Sequence, residues 1–340
     1  MKFKIHFAIF ILSVLVILLS MYSSLLMASN ASIKVYSERQ PFLIQPLIDE
    51  YEKVSGNKIE WIYSKKGLVQ KAILEKNNPI ADVFLSSDIA RLVDLTEAGA
   101  NYEMPYQSNA PSNAQSKYWT GLTMRARIIY AHNDLGLSEI SYEDLVLPQY
   151  KGRVCSRTGF HPYNISLFSA LVAHHGEEWF EDYIIKLKNN LARRPQGNDR
   201  DQVKAIAAGQ GDVAIVNSYY IGLLLSSENE EEVNAGKSIS VFFPNQGEGQ
   251  RGSHINVSGV ALAKNAPNKS NALKLIEYLT SDEAQEIYVN NTYEYSVKPN
   301  IEPNDIVKEW GTFKKDPLDL NMLGIRRNDA IRIFDAGGWK

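Results

Sequence analysis

Two tyrosines, Tyr219 and Tyr220, stand side by side in the stretch AIVNSYYIGLLL, residues 214–225. The apolar run before them reads as a strand and the run after them as a helix. Neighbouring side chains do not face each other on a regular helix, and on a strand they point to opposite faces. Two adjacent phenols therefore converge only at a turn, such as a strand-to-helix junction. Phenolate oxygen is a hard donor. A free tyrosine ionises near pH ~10, so only a strongly acidic cation displaces its proton. Calcium and magnesium take carboxylates, carbonyls and water. Zinc takes histidine, cysteine and carboxylate. Ferric iron is the common hard, acidic ion that remains. The competing reading is a pair of amphipathic tyrosines, one buried and one at the surface.

Other chemistries find little support. Gly-x-Ser-x-Gly, the phosphate-binding Gly-x-x-x-x-Gly-Lys and His-Glu-x-x-His are all absent. GEGQRG, at Gly247, Gly249 and Gly252, matches a dinucleotide fingerprint. An extended segment follows it, so no helix N-terminus is available to hold a pyrophosphate. His174 and His175 fall where a helix ends, a position that favours cationic side chains. His161 stands in the loop TGFHPYN, as either a surface or a cleft residue. Cys155 is the single cysteine, which excludes an internal disulfide, and it reads as a small buried apolar residue.

These residues must be positioned by the elements around them. Strand-like and helix-like segments alternate from Ser32 onward: IKVYS, LIQPLIDEYEKVSG, KIEWIYS, GLVQKAILEK, ADVFLSS and DIARLVDLTEAG. Asp88 is an N-cap candidate and Gly99 a helix stop. A polar stretch, NYEMPYQSNAPSNAQSKYWTG, interrupts this rhythm before LTMRARIIYAHND resumes it as an extended segment. The order predicts two α/β domains with mostly parallel sheets, joined by extended crossings near 121–128 and 246–262. Ligands of such sheets bind at the carboxyl ends of the strands.

The chain has 340 residues and a formal net charge of −3, enough for about two domains and giving no reason to expect a nucleic acid partner. MKFKIH is followed by an uncharged run, Phe7 to Met27, and then by small residues. This order predicts a cleavable signal peptide over 1–31, cut after Ala31 with Ala28 as the second choice. An uncleaved anchor is the alternative. No later run is long and apolar enough to span a membrane, so no stable membrane insertion is expected after cleavage. Export without disulfides fits a bacterial periplasm.

Seven segments in order, VYSERQPFLIQPLIDEYEKVSG, KKGLVQK, ADVFLSSDIARLVDLTEAG, GLTMRARIIY, NSYYIGLL, GSHINVSGVALAKNAPN and EYLTSDEAQEIYVN, resemble the periplasmic ferric-ion-binding proteins of bacterial iron ABC importers. These are type II periplasmic binding proteins. The resemblance runs from about residue 33 to the C-terminal RNDAIRIFDAGGW. It implies an N-terminal lobe of 32–124 and 255–302 and a C-terminal lobe of 125–254 and 303–340, closing on one Fe³⁺. It assigns phenolate ligation to Tyr219 and Tyr220, and a third phenolate to Tyr163 in HPYNISLFSALVA. Many relatives carry a histidine, or histidine and tyrosine, after the first strand. Gln40 and Pro41 stand there in this chain, so the first lobe is left without a strong ligand. Carbonate or water is then expected to complete the shell, with Arg125, Arg127 or Arg39 as the anion's partner. The resemblance further implies a monomer that delivers iron to an inner-membrane ABC permease and its ATPase. An alternative keeps this fold for a phosphonate, polyamine or thiamine-like ligand, with Ser86, Ser87 and Asp88 central. An exported enzyme finds no nucleophile and base at recognisable spacing.

Overall fold

The structure, a computed structural model, describes residues 32–64, 66–105 and 114–339. The expected signal segment, 1–31, lies outside the described residues. The early alternation forms as expected, with strands β1 (Ile33–Ser37), β2 (Ile59–Tyr63) and β3 (Val83–Ser86). The helices Pro41–Ser55, Leu68–Leu74 and Ile89–Glu97 follow them in turn. Asp88 caps the third helix, accepting from the Ala90 N–H. The first helix stops at Gly56, which adopts the left-handed conformation that glycine tolerates best.

A 13-residue strand, β4 (Thr120–His132), then crosses the molecule. The chain continues through β5 (Val154–Cys155), β6 (Val213–Asn217), β7 (Ile239–Phe242), β8 (Ile255–Leu262) and β9 (Tyr295–Ser296). The strands order as β2-β1-β3-β8-β4-β6-β5, with β7 and β9 also on β4. The α/β class is as predicted, but the sheet is mixed. β1 pairs in parallel with β2 and β3, and β5 with β6. β4 and β8 run antiparallel to their neighbours. The long strand changes partner midway. Up to Ala126 it pairs with β8, and from Arg127 onward with β6.

Helices cover both faces of the sheet, and side-chain alternation along β4 divides its residues between two cores. Ile129 and Ala131 pack with Phe168, Phe180, Phe334 and Trp339. Ile128 and Tyr130 pack with Val203, Val216 and Leu224 on the other face. Cys155 belongs to this second core and is fully buried, as its residue type predicted. Near the C-terminus, Leu320 and Leu323 pack with Trp119 and Leu92, under the first half of the sheet. The helix Arg327–Ala336 instead places Phe334 against Phe168 of the helix Pro162–His175. The GEGQRG loop forms no helix, as expected. Gly252 has φ +100°, and a Cβ there would lie 2.6 Å from the Lys314 carbonyl oxygen, so close backbone approach accounts for this glycine.

His254, just before β8, is buried, and its Nε2 lies 2.8 Å from Ser166 Oγ. Burial holds its imidazole down to about 3, Arg125 adding to the effect while Asp316 opposes it. An unfolded histidine titrates near ~6.5. Between those values the unfolded chain binds a proton that the folded chain refuses, so this stability is present above the window and is lost as pH falls through it. The slope from one such group is about 1.4 kcal/mol per pH unit. Urea unfolding from pH 7 to pH 4 should show H254Q with a pH dependence shallower than wild type by about that amount.

Candidate metal centre

The chain turns sharply after β6. Ser218 and Tyr219 form the turn, and Tyr220 opens the helix Tyr220–Leu225. The two phenol rings stack, with centroids 4.5 Å apart and planes 27° from parallel. Only the turn allows this, as the sequence predicted. Tyr130, buried on β4, fixes the turn from below. Its hydroxyl donates to the Ser218 carbonyl at 2.8 Å and accepts from the Ile221 N–H at 3.1 Å. Gly222 completes the fit, since a Cβ there would stand 2.5 Å from the ring of Tyr293.

Tyr163 reaches the same place from the first turn of the helix Pro162–His175. The Tyr219 hydroxyl donates to the Tyr163 oxygen at 3.2 Å. His161 caps this helix through Nδ1, which accepts from the Tyr163 N–H at 3.3 Å. Its ring stands edge-on to Tyr163 at 4.5 Å, which makes it a cleft residue. Burial pushes the imidazole down to about 3, and Arg157 adds to the effect.

Tyr163, Tyr219 and Tyr220 line a cleft of about 610 Å³. Arg39, Gln40 and Arg125 also line it. Burial pushes the Tyr219 phenol well above its ordinary range, followed by the phenols of Tyr163 and Tyr220. Burial also raises Tyr220, with Tyr163 and Asp199 adding to it. Both are therefore neutral at neutral pH until a cation displaces their protons. Among the described residues, no group of three or more His, Cys, Asp and Glu side chains could hold a metal. The cluster capable of metal chemistry is one of phenols.

The four polar candidates fare differently. Gln40 stands at the N-cap of the helix Pro41–Ser55, exposed to the cleft, with no capping bond from its side chain. Arg39 is clasped by Glu294, with Nη2 to Oε2 at 2.7 Å, and also donates to Ser258. Arg125 donates through Nη1 to Ser258 Oγ at 3.3 Å, while its Nη2 is buried without a partner. Nε of Arg39 and of Arg127 is also unpartnered, but Arg125 is the one of the three with an orphaned terminal nitrogen. Arg127 does not fit the expected role. Its Nη1 donates to Asn217 Oδ1 and pairs with Asp199, and its Nη2 donates to Asn164 Oδ1 and the Ile215 carbonyl. It lines a small cavity beneath the site, not the cleft itself. Arg127 is a brace between elements.

Sequence reasoning missed the carboxylate at the centre of that brace. Asp199 is fully buried and accepts from Arg127, from Arg157 Nη1 at 3.1 Å and from the Asn217 N–H at 3.0 Å. Burial raises its pKa, but the two guanidiniums and that N–H outweigh it and hold the carboxyl below the usual range. Asn164, next to Tyr163, joins the brace and ties down the loop before it through Ser156 and the Arg157 carbonyl. Three guanidiniums, from Arg125, Arg127 and Arg157, lie 5.4–5.9 Å from the Tyr163 ring centre. A sequence-level hint existed only for the helix holding Asp199, which starts with Asn198 as an N-cap.

A polar cleft at the strand ends is where an open α/β sheet binds its ligand. The chain belongs to the bacterial extracellular solute-binding protein family, whose model matches residues 36–286. It is 38% identical to iron uptake protein A1 of Synechocystis sp. over 322 residues, covering 91% of this chain and 87% of that protein. The apo ferric ion-binding protein A of Pasteurella haemolytica superposes with a TM-score of 0.85 at 41% identity, over 91% of this chain and 98% of that one. A Trichodesmium protein solved with iron and citrate ligands gives a TM-score of 0.85 at 36% identity, over 91% and 100%.

Asp199→Asn keeps the size of the brace but leaves two buried guanidiniums without a carboxylate. It should destabilise the protein by about 3–5 kcal/mol, measured by urea unfolding at pH 7.

Proposed function

We propose that this protein captures ferric iron in the cleft through the phenolates of Tyr163, Tyr219 and Tyr220. The meeting of three phenols at one point, two stacked and two hydrogen-bonded, carries this reading. Three phenolates neutralise Fe³⁺ but supply three donors where a hard octahedral ion takes about six. A bidentate anion such as carbonate, held by the orphaned Nη2 of Arg125, supplies two more, with water as a further donor. The lining favours an anion: Arg39, Arg91, Arg125, Arg157 and Arg200 face Glu38, Asp88 and Glu294. The iron relatives support the same cargo. The protein works in the periplasm as a monomer, freed from its signal peptide. It closes two lobes on the ion and delivers it to an ABC permease and its ATPase in the inner membrane.

Loading purified protein with ferric citrate should give a visible phenolate-to-iron charge-transfer band. A colourless loaded protein would sink the reading. Tyr219→Phe and Tyr220→Phe should each weaken iron retention against a competing chelator by more than about 100-fold, beyond the roughly 10–100-fold typical of outer-shell changes at metal sites. Tyr278→Phe should not, because Tyr278 packs on Tyr51 away from the cleft. Retention should also fall as pH falls, because protons compete for the same oxygens. If Arg125 holds carbonate, removing bicarbonate should shift the wild-type band and leave that of Arg125→Gln unchanged.

A further inference from the structure

The phenols that define the site all come from one half of the sheet, Tyr219 and Tyr220 just after β6 and Tyr163 in the first turn of the helix Pro162–His175. The half built on β1, β2 and β3 faces them with Glu38, Arg39, Gln40, Tyr63, Ser87 and Asp88. Most of these are unsuited or occupied. Glu38 accepts from Ser86 Oγ at 3.2 Å. Asp88 accepts from the Ala90 N–H at 3.2 Å and from Asn256 Nδ2 at 2.8 Å. Arg39 is a cation, Gln40 offers a weakly donating amide, and Ser87 offers a neutral hydroxyl.

Tyr63 differs from all of them. It ends β2, in register with Ser37 of β1, and so stands beside the Glu38–Gln40 turn at the carboxyl edge of the sheet. It is the one phenol that this half brings to the cleft, among the described residues. Burial raises its pKa, and the Tyr163 phenol that lines the same cleft adds to the rise. Tyr63 and Tyr163 thus line one cleft, and among the described residues no hydrogen bond holds the Tyr63 hydroxyl.

We propose that Tyr63 is the iron donor of the first half: a fourth phenolate that coordinates the ion from across the cleft. This rests on the ferric reading above. Iron bound by the other three phenolates would displace the Tyr63 proton as it displaces theirs, releasing one further proton to solvent. The shell then joins both halves of the sheet through protein oxygen.

Tyr63→Phe keeps the ring and removes only an unbonded hydroxyl, so the iron-free variant should melt with wild type. After loading with ferric citrate, it should show a weaker and shifted charge-transfer band. Iron release to excess chelator should be faster by at least about tenfold. A coloured wild type with an unchanged band in Tyr63→Phe overturns this proposal alone, whatever the release rate, and leaves Tyr63 as a wall of the cleft. A colourless loaded wild type ends the ferric reading and this proposal with it.

Discussion

The site depends on one buried charge. Asp199 holds two guanidiniums and a backbone N–H, and through them it joins β4, β6, the loop ahead of Pro162 and the helix that starts there. Burying a carboxylate in an apolar interior is costly unless it is paired and hydrogen-bonded, and here it is both. The energetic return is mostly geometric. Tyr163 arrives on one element and Tyr219 on another, with 55 intervening residues between them. Without a rigid tie, a small drift in either element would pull their oxygens apart. The brace converts a long sequence separation into a fixed distance.

That rigidity is paired with a deliberate mismatch of charge. The cleft holds phenols whose burial resists ionisation, next to arginines that favour negative charge. Neither tendency is satisfied alone. A small cation of high charge would resolve both, by removing the protons and letting the oxygens become the anions the arginines prefer. A softer or less acidic ion would leave the protons in place. Selectivity in such a site comes from the work needed to ionise its own ligands, more than from its shape.

Much of this was legible in the sequence where the signal is local. The strand–turn–helix around Tyr219 and Tyr220 follows from an apolar run, a break and a second apolar run. The loop-to-helix entry at Tyr163 follows from HPYN before a periodic segment. The antiparallel course of β4 and β8 was not legible, because an apolar run looks the same in either direction. Arg127 shows the same limit. Arg125 and Arg127 share a face of one strand, and only the fold reveals that the second meets a carboxylate 72 residues further on. Tyr63 gave no local sign at all. It looked like any aromatic at a strand end until the fold put it in the cleft that Tyr163 lines.

The change of partner along β4 has a mechanical consequence. Arg125 lies opposite Asn256 of β8, and Arg127 lies opposite Asn217 of β6, so the seam between the two halves of the sheet runs between these arginines. One keeps an unpartnered nitrogen and the other belongs to the phenol brace. The strand is thus a caliper, with one jaw on each half of the sheet.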